Sequence, residues 1–200
     1  MKHDKELIIH KLERWERYLE SYALPEWKEI PDIGLYMDQV IALLRNYLNF
    51  IPEEVPSERP ITPTTINNYV RLKVMPAPVR RKYYRVHIAY LIAIFTLKQS
   101  VSIACVQRIL PADLQTAQVQ DFYERYVATL QDVAHFFTRQ TRAGAADILD
   151  PNSPVKDETA IEKLIIQNVL MGGFSGILAQ KLLFLQEADR AEVLKKEQEA

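Results

Sequence analysis

The sequence predicts an all-α protein, folded as a multi-helix bundle. Apolar residues recur at spacings of three and four through most of the 200 residues, which is the period of helices that bury one face. No run of six or more residues alternates apolar with polar side chains, as a half-buried strand would. The chain contains only 5 glycines, and this scarcity favours helices over tight turns.

Two amphipathic helices are predicted before residue 50. The first spans 4–22, where leucine and aromatic residues share one face and charged residues cover the rest. Pro25 and Pro31 interrupt the pattern, and the second helix follows at 34–49. The run IPEEVPSERP after it is rich in proline and acid, so it predicts an extended connection.

Three shorter helices are predicted in the middle of the chain. The first begins after Thr62, a suitable N-cap, and has Pro63 at its first position, where the missing N–H costs nothing. It ends at the MPAP run. A strongly apolar helix follows at 85–99, and Ser102 is expected to cap another at 103–110.

Two long helices are predicted in the C-terminal part. Asp113 is expected to cap a helix at 114–141, and the last helix begins near residue 158. This last helix contains the apolar stretch 164–179, which is shorter than the ~20 residues that a membrane-spanning helix needs. We therefore expect a buried core helix there and no membrane association.

The basic residues are unevenly distributed. Residues 59–112 include nine Lys or Arg residues and no Asp or Glu, although the whole chain has a net charge of −1. Excluding carboxylates from so long a stretch favours a polyanion as partner, because each carboxylate would repel phosphate. The alternative is that the basic block binds an acidic protein, and the chain is then a helical adaptor.

Residues 62–71 have the composition of a helix that reads DNA. Such a helix is short, begins with small polar residues and carries amide or guanidinium groups opposite a docking face. Ile66, Tyr69 and Val70 supply the docking face, and a basic run follows the Pro-x-Pro turn. We expect these residues to bind double-stranded DNA: Thr62, Thr64, Thr65, Asn67, Asn68, Tyr69, Arg71, Lys73, Arg80, Arg81, Lys82, Tyr83 and Arg85.

The members of this set are expected to contact different parts of the DNA. Asn67 and Asn68 are predicted to contact base edges, since an asparagine amide can pair bidentately with adenine. The basic residues and Tyr83 are predicted to hold the DNA backbone, which fixes orientation without reading sequence.

The segment resembles the DNA-binding module of MerR-type regulators. Its features are a Thr-x-x-Thr-Ile start with an internal Tyr, a Met-Pro-x-Pro turn, a basic wing ending Arg-x-Tyr, and a Leu-Lys pair before a Val-Ser-Ile helix start. They fall on Thr62, Thr65, Ile66, Tyr69, Arg71, Met75, Pro76, Pro78, Arg81, Tyr83, Leu97, Lys98, Val101, Ser102 and Ile103. The chain is similar also to an uncharacterised group of Gram-positive bacterial proteins that carry such a module internally.

The resemblance implies a domain plan and a function. A winged helix-turn-helix core would occupy 34–110, after an N-terminal helical extension at 1–33. The region 111–200 would serve dimerisation and sensing. The chain would then be a sequence-specific transcriptional regulator, active as a homodimer.

The C-terminal helices leave two alternatives each. The apolar stripe of 114–141 would be a dimer seam or core packing against the N-terminal helices. The glycines at 172, 173 and 176 favour close helix packing, and the alternative is a small-molecule effector pocket lined by Met171 and Phe174.

An enzyme is not expected. No phosphate-binding glycine loop, nucleophile elbow or metal-binding helix motif occurs, and the 4 histidines lack metal-ligand spacing. No cofactor or metal is therefore predicted. The lone Cys105 lies among apolar residues and is expected to be a buried, inert thiol, which fits a reducing, cytoplasmic location.

Overall fold

The computed structural model describes residues 4–51, 61–150, 152–154 and 156–185. Within these ranges the protein is all-α, as predicted, and contains no β-strand; the β-structure there consists of isolated bridges. The helices are α1 (Lys5–Ser21), α2 (Met37–Tyr47), α3 (Pro63–Arg71), α4 (Arg85–Leu97), α5 (Ile103–Ile109), α6 (Thr116–Gly144), α7 (Ala146–Leu149) and α8 (Asp157–Leu183), with a 3₁₀ turn at Trp27–Glu29.

The helix starts follow the predicted caps in two of three cases. The hydroxyl of Thr62 accepts from the backbone N–H of Thr65, and Ser102 caps α5 in the same way. The prediction for Asp113 is wrong, because Leu114 packs on the core in a non-helical conformation. α6 therefore begins later, with Gln115 as its N-cap residue. Most of the connection between α2 and α3 predicted as extended lies outside the described residues.

Helix α4 is the centre of the main core. Every residue from His87 to Phe95 is buried, so this helix is apolar on all sides and has neighbours all round. It packs against α2 and α6. Cys105 on α5 is buried at the same core, as predicted.

The apolar stripe of α6 packs within its own chain. Val119 and Tyr123 are fully buried, and the Tyr123 hydroxyl donates to the carbonyl oxygen of Pro25 at 2.9 Å. Phe122 and Leu130 pack against the same core. Of the two alternatives for this stripe, core packing describes these residues.

Helix α8 differs from the buried helix that its composition predicts. Its start is buried through Ile161 and Leu164, which pack with α7 and α1 in a second, smaller core. Beyond Leu164 most apolar side chains are exposed, because only one stripe of the helix faces α5 and α6. The expectation of a buried core helix is wrong. By length and composition alone α8 could cross a membrane, and only 11% of its most apolar window is buried.

Candidate nucleic-acid interface

Helix α3 presents a polar face and buries an apolar one. Ile66 is completely buried and Tyr69 nearly so, and the Tyr69 ring meets the Phe95 ring of α4 edge-on, with centroids 5.5 Å apart. This contact docks α3 on the central helix. Asn67 and Arg71 lie on the opposite face, exposed to solvent.

Several polar side chains of α3 already have hydrogen-bond partners within the chain. The Thr62 hydroxyl accepts from the Thr65 backbone N–H at 3.1 Å, and the two hydroxyl oxygens are 2.8 Å apart. These two threonines therefore stabilise the start of the helix. Arg71 donates through Nη2 to the Asn68 Oδ1 at 2.7 Å, which holds both side chains along the exposed side of the helix.

A two-residue hairpin follows α3 in the chain. Val79 and Lys82 exchange both backbone hydrogen bonds, at 3.0 and 2.9 Å. The two residues at its tip, Arg80 and Arg81, have φ angles of 51° and 64°. Two consecutive positive φ angles are the signature of a type I′ turn, where Asn-Gly is the favoured pair because other side chains are strained. Here the strained positions carry two exposed arginines.

The hairpin is fixed to the body of the protein at its base. Tyr83 and Leu35 exchange backbone hydrogen bonds of 2.8 and 2.9 Å, which ties the hairpin to the segment before α2. The Lys82 ammonium lies 5.3 Å from the centre of the Tyr36 ring. At Gly34 an added Cβ would lie 2.6 Å from the Lys82 Cδ, so this glycine permits the close approach.

Buried His87 connects the hairpin to α4. Its Nδ1 accepts from the backbone N–H of Tyr84 at 3.0 Å, and its Nε2 therefore donates to the carbonyl oxygen of Ala77 at 3.1 Å. One ring thus caps α4 and holds the Pro-x-Pro turn. From the sequence, capping or phosphate contact is possible for His87 at the start of this helix, and core or surface placement is favoured; the structure shows a buried side chain that caps the helix.

Three of the residues predicted to bind DNA have structural roles within the chain. Tyr69 and Tyr83 are buried, and loss of hydration raises the pKa of both hydroxyls. Arg85 donates to the carbonyl oxygen of Ile30 at 2.8 Å, lies 3.7 Å from the Asp32 carboxylate and stacks on an indole ring. Its charge is already paired within the chain. These three side chains complete the core and its rim, and their contact with DNA stays a prediction.

The remaining exposed candidates lie on α3, directly after it and at the tip of the hairpin that follows it, and they are grouped here as one basic and polar surface. We call it the α3–hairpin surface; its exposed members are Thr64, Asn67, Arg71, Lys73, Arg80 and Arg81. Lys73 also has a positive φ, of 54°, at the end of α3. Since residues 59–112 contain no Asp or Glu, no carboxylate of α3, the hairpin, α4 or α5 neutralises this surface.

Met171 and Phe174 are the candidate wall residues for the alternative of an effector pocket beside the glycines of α8. Phe174 is 68% exposed, and an added Cβ at Gly172 or Gly173 meets no atom within 4 Å. Close packing is absent at these two glycines among the described residues, and of the three glycines of α8 only Gly176 approaches another described segment, at the carbonyl oxygen of Ser100. A cavity of about 90 Å³ lies elsewhere, between α1 and α6, with Trp15 and Thr141 in its wall.

No metal site is found in the described part of the chain, which contains no group of three His, Cys, Asp or Glu side chains close enough to hold an ion.

Comparison with known proteins gives a family. No curated protein and no solved structure matches the chain. The model of a family described as a domain of unknown function, DUF1836, matches residues 25–128. The match covers slightly more than half of the chain, from the segment before the 3₁₀ turn into α6, and includes the whole α3–hairpin surface. The chain belongs to the DUF1836 family.

Proposed function

We propose that this chain is a sequence-specific, double-stranded-DNA-binding transcriptional regulator with a winged helix-turn-helix core. In this proposal α2 is the scaffold helix, α3 enters the major groove, and the hairpin at 79–82 is the wing. Asn67 contacts base edges, and the arginines at the hairpin tip contact flanking phosphates.

The main support for the proposal comes from the two arginines at the tip of the hairpin. A two-residue turn with both φ angles positive is cheapest with Asn and Gly, yet Arg80 and Arg81 occupy it. Residues held in an unfavourable backbone conformation cluster at functional positions such as ligand-binding sites, where the side chain has a role that offsets the strain. Both guanidinium groups are exposed, as phosphate binding requires.

The surroundings of the tip favour a polyanion. α3 ends with Arg71, and Lys73 follows in the connection to the hairpin. The absence of acids from residues 59–112 leaves these charges unopposed along the chain. A protein that contacts several phosphates gains affinity by releasing counterions, so its binding falls steeply with salt.

The spacing between α2 and α3 departs from the simplest helix-turn-helix. The two helices are joined by residues 48–62, whereas the motif usually has a turn of three or four residues. α3 nevertheless packs against α2, its Tyr69 ring meets the Phe95 ring of α4, and Arg45 donates a hydrogen bond of 3.4 Å to the carbonyl oxygen of Ile61. The reading face of α3 remains exposed.

Fluorescence anisotropy of the full chain against its own upstream intergenic DNA tests the proposal. We expect binding that survives excess random duplex and weakens at higher salt. Arg81→Ala should weaken binding to all sequences and lower the slope of log K against log salt by about one. Arg139→Ala removes the same charge from the exposed surface of α6 and should leave binding unchanged.

Two outcomes would refute this function. Absence of binding at either salt concentration would leave the basic block as a site for an acidic protein, in the adaptor role. Binding that random duplex abolishes would indicate a non-specific polyanion binder, without a role in reading an operator.

A further inference from the structure

The exposed side of α8 carries an apolar stripe with the spacing of a helix-pairing seam. Ile166, Leu170, Gly173 and Ile177 succeed one another at intervals of four, three and four residues, which is the alternation of coiled-coil core positions. We call these four residues the outer stripe. Its three larger side chains are each about half exposed, at 50, 51 and 53%. The stripe lies on the side of α8 away from Ile161 and Leu164.

The apolar surface around the stripe is large for one helix. Ten large apolar side chains between residues 165 and 185 are exposed by 41 to 69%. Five of them, at 166, 169, 170, 174 and 177, lie within a quarter turn of the outer stripe. A fully covered side chain of this kind removes roughly 100 Å² from water, so these five expose roughly 300 Å². One partner in a stable interface contributes about 800 Å², including its polar rim. These five residues therefore supply the apolar centre of one half of a dimer interface, and the polar rim supplies the rest.

The outer stripe is symmetric about its own centre. When α8 is paired antiparallel with a second α8 around the point between Met171 and Gly172, Ile166 lies opposite Ile177 of the second copy. Leu170 then lies opposite Gly173 of the second copy, where an added Cβ meets no atom of the described residues of its own chain within 4 Å. Each leucine can fill the space that the opposing glycine leaves. A stripe that is complementary to its own reverse is what a two-fold interface requires.

The charges at the ends of α8 favour the antiparallel arrangement. The helix begins with Asp157 and Glu158, followed by Glu162, and Lys181 lies in its last turn. Antiparallel pairing brings the acidic start of one helix to the basic end of the other, whereas parallel pairing would bring the acids together. Lys163 lies 3.7 Å from the Asp147 carboxylate of its own chain, which offsets its charge near Lys181 of the second copy.

A lipid partner fits the same helix less well. Both ends of α8 are bonded to the rest of the chain: Lys5 Nζ lies 2.7 Å from Asp157, and Arg108 donates to the Leu183 carbonyl oxygen at 3.0 Å. α8 therefore lies along the body of the protein. It contains three acids and two lysines, whereas a helix that lies on anionic lipid is rich in Lys and Arg.

We propose that two copies of this chain form a two-fold dimer by antiparallel pairing of the outer stripes of α8. The dimer goes beyond DNA binding and uses a surface on which no DNA-binding residue lies. It also differs from a seam on α6, where Val119, Tyr123 and Leu130 pack in the core.

Sedimentation of the full chain without DNA tests the dimer. We expect the wild-type chain to be dimeric at micromolar concentration. Ile166→Glu and Ile177→Lys should each weaken the dimer about a hundredfold or more, because each buries an unpaired charge against an isoleucine. Val133→Glu changes a similarly exposed apolar residue of α6 and should leave the dimer intact.

The double variant tests the register. In Ile166→Glu/Ile177→Lys, each new glutamate faces a new lysine of the second copy, so the dimer should be substantially restored relative to either single variant. Gly173→Leu should weaken the dimer by crowding Leu170 of the second copy, with no change in helical circular dichroism. Such spectra for every variant separate loss of pairing from loss of folding.

Three results would overturn the dimer. A wild-type chain that stays monomeric would do so, as would a dimer that none of the stripe variants weakens. A monomer that co-sediments with phosphatidylcholine–phosphatidylserine vesicles through the same stripe would assign the surface to lipid. None of these results depends on DNA, and failure to bind DNA would leave the dimer standing.

Discussion

Replacing the hairpin tip by the pair that its backbone prefers should separate stability from DNA binding. In Arg80→Asn/Arg81→Gly, the turn keeps its geometry, with φ angles of 51° and 64° at the two positions. Asparagine tolerates the left-handed conformation well and glycine pays nothing for it. The change therefore relieves strain and deletes two exposed cations.

The stability gain can be estimated from the backbone alone. Left-handed conformation costs an ordinary residue roughly 1–2 kcal/mol, and part of that gain is lost because glycine has more freedom in the unfolded chain. A net gain of about 1 kcal/mol remains. For a chain of this length it corresponds to a rise of about 2–4 °C in Tm.

The effect on DNA binding should have the opposite sign. Each arginine that bonds a phosphate contributes about one order of magnitude in affinity, so the double variant should lose about a hundredfold. The salt slope should fall by about two. Thermal unfolding and anisotropy titrations of the same preparation measure both effects.

A second double variant distinguishes the two causes. Arg80→Ala/Arg81→Ala removes the same charges but leaves a Cβ at both strained positions, so it should lose DNA binding without a rise in Tm. If the Asn-Gly variant melts at or below the wild-type temperature, the strain argument is refuted. If it melts higher and binds DNA as well as the wild type, the tip has no part in binding.

Three further predictions concern single side chains. Asn67→Ala should cost about 1–3 kcal/mol of binding on the correct operator and nothing on random duplex, as measured by anisotropy; equal losses on both would exclude base reading. Tyr90 is fully buried, and burial raises its pKa to about 12, so its stabilising effect is complete below pH 10 and is lost as the pH rises through 12. In urea titrations at neutral pH, Tyr90→Phe should be less stable than wild type, because the variant lacks the hydrogen bond of 2.6 Å to the carbonyl oxygen of Pro111. Between pH 10 and 12 the variant should lose less stability than wild type. Parallel curves of stability against pH would contradict this. The Thr141 hydroxyl is buried without a partner among the described residues, so Thr141→Val should raise the free energy of unfolding by about 1 kcal/mol; a loss of stability would show that the hydroxyl is bonded.

The helices could be predicted from the sequence because their evidence is local. Apolar spacing and caps such as Thr62 and Ser102 gave the helices to within a few residues, and the all-α class followed. The short helix α7 was missed because four residues carry too little pattern to separate from a turn.

The site was only partly predictable because the sequence does not say where a side chain points. Tyr69, Tyr83 and Arg85 have residue types common at DNA interfaces, yet contacts distant in sequence draw them into the core and its rim. The same limit applies to α8. Its composition suits a core helix, but the burial of a helix depends on how many other elements pack around it. On the outer side of α8 the described residues provide no such element.

The shortness of the hairpin has a consequence for how an operator would be recognised. The turn has only two residues, and hydrogen bonds from Tyr83 to Leu35 and from His87 to Ala77 hold its base. Its position relative to the rest of the protein is therefore fixed. The distance between α3 and the tip arginines is thus set by the protein, and under the DNA-binding proposal the duplex must adjust its groove width to satisfy both. Operators should then differ in affinity at base pairs that no side chain touches, according to how easily those steps bend or untwist.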